Sequence, residues 1–418
     1  MSLDSDTTGF IREDVVKRFI RYAKIHTTSD PNSDSKPSSS NQHDLLKLLA
    51  AELNELGLHD VRHDKNGFVY ATLLPANSTI APLSSAFGLM AHVDTSPDQD
   101  GQGVKPLLRE SYDGGELSFP DDSQLTLSSK DSPELLHFVG DTIITASGKT
   151  LLGADDKAGV AEIMTAVAAL IKFPKLTHGR IEVCFTSDEE VGRGVEGIDE
   201  SRLPPYLYTM DGSYPGTLET ECFDAIGVKV EFQGIGVHPG YAYGKMVNAT
   251  LAAASFTELL PKDQRPETTR DREGFFHLTS IEGTNEFATA RLILRDYDHQ
   301  KNVKRLDLVK EMANEVEREY PGLKIAVTHT KQYENMGEVL ARNPQVVERA
   351  KRAIEASGLK VKEKAIRGGT DGSRLCAMGY PTPNIFAGGM LFHSRREWIA
   401  VSALTKAVET ILNLASLP

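Results

Sequence analysis

The sequence predicts an α/β fold with a mostly parallel central sheet, interrupted by an inserted α+β domain. Three observations point there. Apolar, strand-like runs alternate with helical patterns over the first half of the chain. Near Glu221 the character changes to half-exposed alternation and a long charged helix. After Asn343 a helix and a Gly-rich α/β pattern return, so one domain reads as split by another, with the insert at roughly 224–334. The 418 residues exceed one ordinary core and agree with two domains.

The elements follow in order. Residues 13–25 form an amphipathic helix pattern, and 27–41, rich in Ser, Asp, Asn and Pro, read as a loop. A second helix over 44–56 ends at Gly57. Strands are expected at 67–74 and 86–91, the latter a short apolar run of the kind buried on both faces. Residues 158–173 give a strongly apolar helix, and 180–186 and 206–210 further strands. In the insert, strands are expected at 225–232, 288–296 and 323–330, with helices at 247–260 and 303–320. The returning part opens with a helix over 345–357 and carries a strand at 384–387.

The net charge of -13 argues against nucleic acid and anionic membranes as partners, and no apolar run is long enough to span a bilayer. Cys184, Cys222 and Cys376 are widely spaced and odd in number, which fits reduced thiols in the cytoplasm rather than a disulfide framework. Residues 1–10 lack the basic and apolar regions of a signal peptide.

The acidic and His residues fall at informative places. His92 and Asp94 follow the 86–91 run. Asp188, Glu189 and Glu190 follow 180–186, and Asp211 follows 206–210. These are carboxyl ends of expected parallel strands, the edge where open α/β sheets bind ligands. Asp155 and Asp156 precede a helix, and His393 follows the strand at 384–387 and a Gly-Gly turn. Two His and several carboxylates on one edge make a zinc-type ligand set. A pair of metals about 3.5–4 Å apart needs a bridging carboxylate and further ligands on each side, which His92, Asp155, Glu190, Asp211 and His393 can supply. Asp94, two residues from His92 on a strand, can orient its ring. Of Glu189 and Glu190, one can bind metal while the other serves as general base.

Each feature alone has a plainer reading: a surface turn for His92–Asp94, a solvated turn for 188–190, a helix cap for Asp155–Asp156, an ordinary turn at Asp211, a basic surface cluster at His393. Their joint placement favours the metal centre. Arg367, in a Gly-rich turn lacking the ending of a phosphate loop, suits a peptide carboxylate. His238, on a Pro-Gly loop of the insert and followed by Asn248, could donate to a substrate oxygen.

The stretches at 91–98, 150–159, 188–192, 238–240 and 366–372, together with His393, resemble the family of dinuclear-zinc aminoacylases and carboxypeptidases, and within it the tripeptide aminopeptidases. The motifs occur in the family's order from about residue 10 to the C-terminus. The resemblance implies a catalytic zinc-peptidase domain over 1–223 and 335–418 and a lid, dimerisation-like, over 224–334. It implies that His92, Asp155 and Asp211 hold one zinc, that Glu190 and His393 complete the other with Asp155 as bridge, that Glu189 is the general base and that Asp94 supports the site. It also implies a cis Asp155–Asp156 peptide and a lid that brings His238 toward the scissile carbonyl.

The function expected is release of the N-terminal residue from tripeptides, by attack of a zinc-activated water with Glu189 as base. It uses two zinc ions per chain, with cobalt or manganese as substitutes. His238, Asn248, Arg295 and Arg367 are the candidate substrate contacts. A related dipeptidase, carboxypeptidase or N-acyl amino acid deacylase shares the chemistry, and the extended motif set argues against these. An inactive binding relative would have lost a ligand or Glu189; none is lost. Homo-oligomerisation stays open.

Overall fold

The computed structural model describes residues 3–75 and 86–417; Met1, Ser2, 76–85 and Pro418, which belong to the expected 1–223 and 335–418 segments, lie outside the described residues. The chain divides into two compact units. One comprises Met1–Thr220, Glu338–Lys364 and Thr370–Pro418; the other comprises Glu221–Gly337 and Ala365–Gly369. The second unit thus takes in a short return segment, including Arg367, that the sequence reading grouped with 335–418.

The first unit is built on an eight-stranded sheet in the order His59–His63, Val69–Leu73, Ile181–Thr186, Phe87–His92, Leu207–Gly212, Asn384–Phe386, Thr217–Cys222, Lys362–Ile366. The four strands from Ile181–Thr186 to Asn384–Phe386 pair in parallel, and antiparallel strands flank them. Both Phe87–His92 and Ile181–Thr186 are buried at every residue, which is why they read as continuous apolar runs rather than as alternation. The helix Ala154–Lys172 is buried along almost its whole length and packs against the helices Ser5–Ala23 and Val401–Ser416. Gly159 lets it lie close to the sheet: a Cβ there would come within 2.0 Å of the Met210 carbonyl oxygen. That approach sets Asp155 beside the strand bearing Asp211.

The first helix begins at Ser5, eight residues before the sequence pattern suggested. Asp4 caps it by accepting from the Thr7 N–H at 2.9 Å, and Thr7 and Ile11 are buried. The cap and the core contacts outweigh the weak helix propensity of Thr7, Thr8 and Gly9. A small antiparallel sheet of Gly389–Met390, Trp398–Ala400, Ile143–Thr145 and Leu107–Arg109 carried no clear pattern in the sequence. It holds the segment around His393.

The second unit is a four-stranded antiparallel sheet, ordered Phe275–Gly283, Phe287–Asp296, Asp224–Gln233, Lys324–Tyr333, with the helices Ala249–Leu259 and His299–Glu319 packed on it. Val228, Val230, Phe232, Phe256, Leu292, Leu294 and Val309 are among its core residues. The strand Phe275–Gly283 was not read from the sequence; most of its residues are exposed, so it lacks the apolar signal. Among the described residues, no helix is long and apolar enough to cross a membrane.

Candidate metal centre

The first unit brings seven of the sequence-selected side chains together. His92 closes the Phe87–His92 strand, Asp211 lies in Leu207–Gly212, and Glu189 and Glu190 follow Ile181–Thr186. Asp155 sits at the head of the helix Ala154–Lys172 with a non-helical backbone, and its peptide to Asp156 is cis. His393 lies in the loop between Gly389–Met390 and Trp398–Ala400 with φ 57°.

His92 Nε2 is 3.0 Å from Asp155 Oδ1 and 3.6 Å from Asp211 Oδ1. His393 Nε2 is 3.3 Å from Asp155 Oδ2 and 2.9 Å from Glu190 Oε2. Two candidate ligand groups result, His92–Asp155–Asp211 and Asp155–Glu190–His393, with Asp155 common to both and offering one oxygen to each.

The ring tautomers follow from the opposite nitrogens. His92 Nδ1 lies 3.1 Å from the Asp94 carbonyl oxygen, which can only accept, so Nδ1 carries the proton and Nε2 presents a lone pair when the ring is neutral. His393 Nδ1 meets Asp98 Oδ2 at 3.2 Å, with the same consequence. The sequence reading had the Asp94 carboxylate orienting His92 along a continuous strand. The strand stops at His92, but the Asp94 carboxylate still lies beside the ring, with Oδ1 3.4 Å from His92 Nδ1, and it also accepts the backbone N–H groups of Glu189 and Glu190, each at 3.1 Å. Asp94 therefore ties the His92 strand to the Glu189–Glu190 turn.

Three residues support the site in ways the sequence reading did not assign: Asp98 and Asp156, which it named without these roles, and Glu397, which it did not name. Asp98 is the partner of His393. Glu397, fully buried, accepts from the backbone N–H groups of Leu152 at 2.8 Å, Gly153 at 2.7 Å and Asp155 at 3.0 Å, and so fixes the loop that carries the shared carboxylate. Asp156 accepts from the backbone N–H groups of His92 at 3.3 Å and Gly159 at 3.2 Å, joining strand to helix. Only the His393-x-x-x-Glu397 spacing could have hinted at Glu397.

The electrostatics call for a cation. Burial, reinforced by Asp155, pushes the Glu190 carboxyl up to about 8; burial pushes Asp211 up to about 6 despite the His92 hydrogen bond. Glu189 is raised well above the usual carboxylate range by burial, with Asp211, Asp371 and Glu190 adding to it. For Asp155, burial is outweighed by hydrogen bonds from His393 and His92, and its pKa is lowered. Burial lowers His393, but Asp155 and Glu190 more than offset this and raise it to about 11. Crowded, buried carboxylates ionise together only when positive charge compensates them. Glu190 Oε1 is buried with no hydrogen-bond partner among the described residues. The mixed imidazole and carboxylate donors suit zinc-type metals. The residues fit a metal pair.

Glu189 differs from Glu190. Its carboxylate has no hydrogen-bond partner among the described residues, and it belongs to neither ligand group.

The remaining selected residues lie in the second unit. His238 is exposed; its Nδ1 accepts from the Gly240 N–H at 3.2 Å. Asn248 caps the helix Ala249–Leu259 through its Oδ1, and its amide donates to Asn285. Arg367 donates to the carbonyls of Asp271 at 2.9 Å and Glu273 at 3.1 Å and to Thr269 Oγ1 at 2.9 Å, and stacks near Phe223 and Phe275. Both of its terminal nitrogens are thus engaged by one loop, which leaves a poorer carboxylate anchor than the sequence suggested. Arg295 donates through Nη1 to the Arg367 carbonyl at 3.1 Å, while its Nε is buried without a hydrogen-bond partner among the described residues.

The family model for Peptidase family M20/M25/M40 matches residues 151–416. Peptidase T of Geobacillus kaustophilus is 44% identical over 408 residues, covering 97% of this chain and 98% of that protein. Peptidase T of Desulfitobacterium hafniense is 46% identical over 404 residues, covering 96% and 98%. The aminopeptidase PepT structure from Bacillus cereus aligns with a TM-score of 0.73 at 23% identity, covering 97% of this chain and 98% of that one. A dinuclear metal-binding peptidase of the M20 family from Bacillus subtilis aligns with a TM-score of 0.64 at 14% identity, covering 97% and 98%. The chain belongs to Peptidase family M20/M25/M40 and is a metallopeptidase, a hydrolase.

Proposed function

We propose that the protein is an aminopeptidase that releases the N-terminal residue from tripeptides at a site holding two metal ions, zinc by preference, with cobalt or manganese as substitutes. The observation that carries the metal reading is the bridging position of Asp155 between two ligand groups. The substrate class is supported by the name Peptidase T borne by relatives more than 40% identical over nearly the whole chain. His92, Asp155 and Asp211 would hold one ion, and Asp155, Glu190 and His393 the other. When bound, the metal pair polarises the scissile carbonyl and acidifies water.

The protein's own groups do the rest. Glu189, raised by burial and unbonded, takes the proton of the attacking water and returns it to the leaving amine. Asp94 and Asp98 keep both imidazoles in the tautomer that binds metal. The second unit, as a lid, would supply His238 to stabilise the oxyanion and Asn248 to contact the substrate. With Arg367 engaged by the loop around 269–273, Arg295 becomes the better anchor for the C-terminal carboxylate. Cys184, Cys222 and Cys376 are buried and none forms a disulfide among the described residues, which suits the cytoplasm.

A peptide panel tests the reading. Tripeptides with a free amino end should yield an amino acid and a dipeptide; dipeptides, tetrapeptides and N-acetylated tripeptides should be poor substrates. Equal kcat/KM across this panel would refute tripeptide aminopeptidase action while leaving the metal chemistry standing.

A further inference from the structure

We propose that Gln42 and Ser38 are positioning residues that set the Glu189–Glu190 turn through the carboxylate of Asp188. The proposal rests on the assignment of Glu189 as base and Glu190 as ligand. Asp188 immediately precedes the pair, is wholly buried, and has φ 65°. The left-handed region is uncommon for a residue with a side chain, although Asp enters it more readily than most, so contacts around Asp188 help to keep it there.

The holding groups come from a segment about 150 positions away. Asp188 Oδ1 accepts from Ser38 Oγ at 2.5 Å, the Ser38 N–H at 2.9 Å and Gln42 Nε2 at 2.7 Å; Oδ2 also accepts from the Ser38 N–H at 2.8 Å. Gln42 Oε1 in turn accepts from the Asp188 N–H at 3.0 Å. One primary amide therefore grips both the side chain and the backbone of Asp188, and both Gln42 and Ser38 are buried. Lys36 Nζ donates to the carbonyls of Ser187 at 2.8 Å and Arg193 at 2.7 Å, bracketing the turn on either side. Asp94 takes the next two backbone N–H groups, those of Glu189 and Glu190. With Asp188 clamped on one side and the following amides on the other, the backbone aims both glutamate side chains, and His393 meets Glu190 Oε2 at 2.9 Å beyond it. A rotation at Asp188 would swing both. The polar segment 27–41, which the sequence showed only as a loop, thereby acquires a task at the centre.

The experiment uses the zinc-loaded full-length enzyme. Gln42→Leu, Ser38→Ala and Glu189→Gln are compared for kcat and KM on a tripeptide, metal content by mass spectrometry, and thermal midpoint. Gln42→Leu is also made in the Glu189→Gln background. Gln42→Leu should lower kcat by about 10–100-fold, the usual cost of removing a group that orients a metal site, with KM little changed. In the Glu189→Gln background it should cost clearly less than in the wild type, because one of the two groups it aims is already gone and only the displacement of Glu190, read as lost metal, remains. A merely structural role would lower the midpoint and multiply equally in both backgrounds, and either equal multiplication or a wild-type kcat for Gln42→Leu overturns the proposal. Should Gln42→Leu fail to fold, Ser38→Ala, which leaves the backbone donor in place, decides when made in both backgrounds: a loss of kcat that shrinks in the Glu189→Gln background supports the proposal, and a wild-type kcat or an equal loss in both overturns it. Full activity in Glu189→Gln would instead sink the assignment of the base.

Discussion

Glu397 offers a direct probe of how the shared ligand is held. Its carboxylate accepts the backbone N–H groups of Leu152 and Gly153 on Oε2 and of Asp155 on Oε1. Glu397→Ala orphans all three in a buried region; at about 1–3 kcal/mol for each unsatisfied group, the loss should be at least about 3 kcal/mol. Glu397→Gln is milder and more informative. Its carbonyl can keep Leu152 and Gly153, but its amide then faces the Asp155 N–H donor to donor, so about 1–3 kcal/mol is expected from that one contact. Because the mispaired group belongs to the bridging residue, metal affinity should fall by about 10–100-fold as well. Urea unfolding of the metal-free protein isolates the first effect, since bound metal would add its own stabilisation. Competition with a fluorescent chelator measures the second. A Glu397→Gln variant with the wild-type midpoint and the wild-type affinity would show that these bonds hold nothing that matters.

Three further outcomes are expected. Glu189→Gln should keep its metal and lose about 10²–10⁴-fold in kcat, whereas Glu190→Gln should lose metal too, and identical metal content and rate in the two variants would contradict the division of roles. Metal binding to the metal-free protein at pH 7 should release protons, because Glu190 at about 8 and His393 at about 11 both sit above the working pH and must be deprotonated to bind. Affinity should therefore rise with pH by about tenfold per unit for each proton released, and calorimetry in buffers of different ionisation enthalpy that finds none would refute it. Arg367→Ala should destabilise the protein by about 1–3 kcal/mol through its lost bonds to Thr269, Asp271 and Glu273, with little change in KM; a large rise in KM at unchanged stability would return the carboxylate-anchor role to it. Arg367→Lys should recover only part of the stability, lacking the planar fork.

The parallel core was legible because both-face burial writes itself as unbroken apolar runs such as Phe87–His92, and because the chemistry-bearing residues sit where those runs stop. The residues that hold them in place were not. Ser38 and Gln42 reach Asp188 across about 150 positions, and Glu397 reaches Leu152 across 245. No local periodicity marks such pairs, since a buried carboxylate satisfied by backbone amides looks in sequence like any surface acid. The same holds for Arg367, whose Gly-rich setting suggested an open anion site, while the carbonyls that occupy it come from a loop nearly 100 residues away. The start of the first helix was missed for a local reason: an Asp4 cap rescued residues of poor propensity.

The most direct measurement is anomalous diffraction at the zinc edge from crystals of the zinc-loaded enzyme. Two peaks are expected, one within coordination distance of His92, Asp155 Oδ1 and Asp211, the other of Asp155 Oδ2, Glu190 and His393. A single peak, or peaks that do not share Asp155, would contradict a bridged two-metal centre.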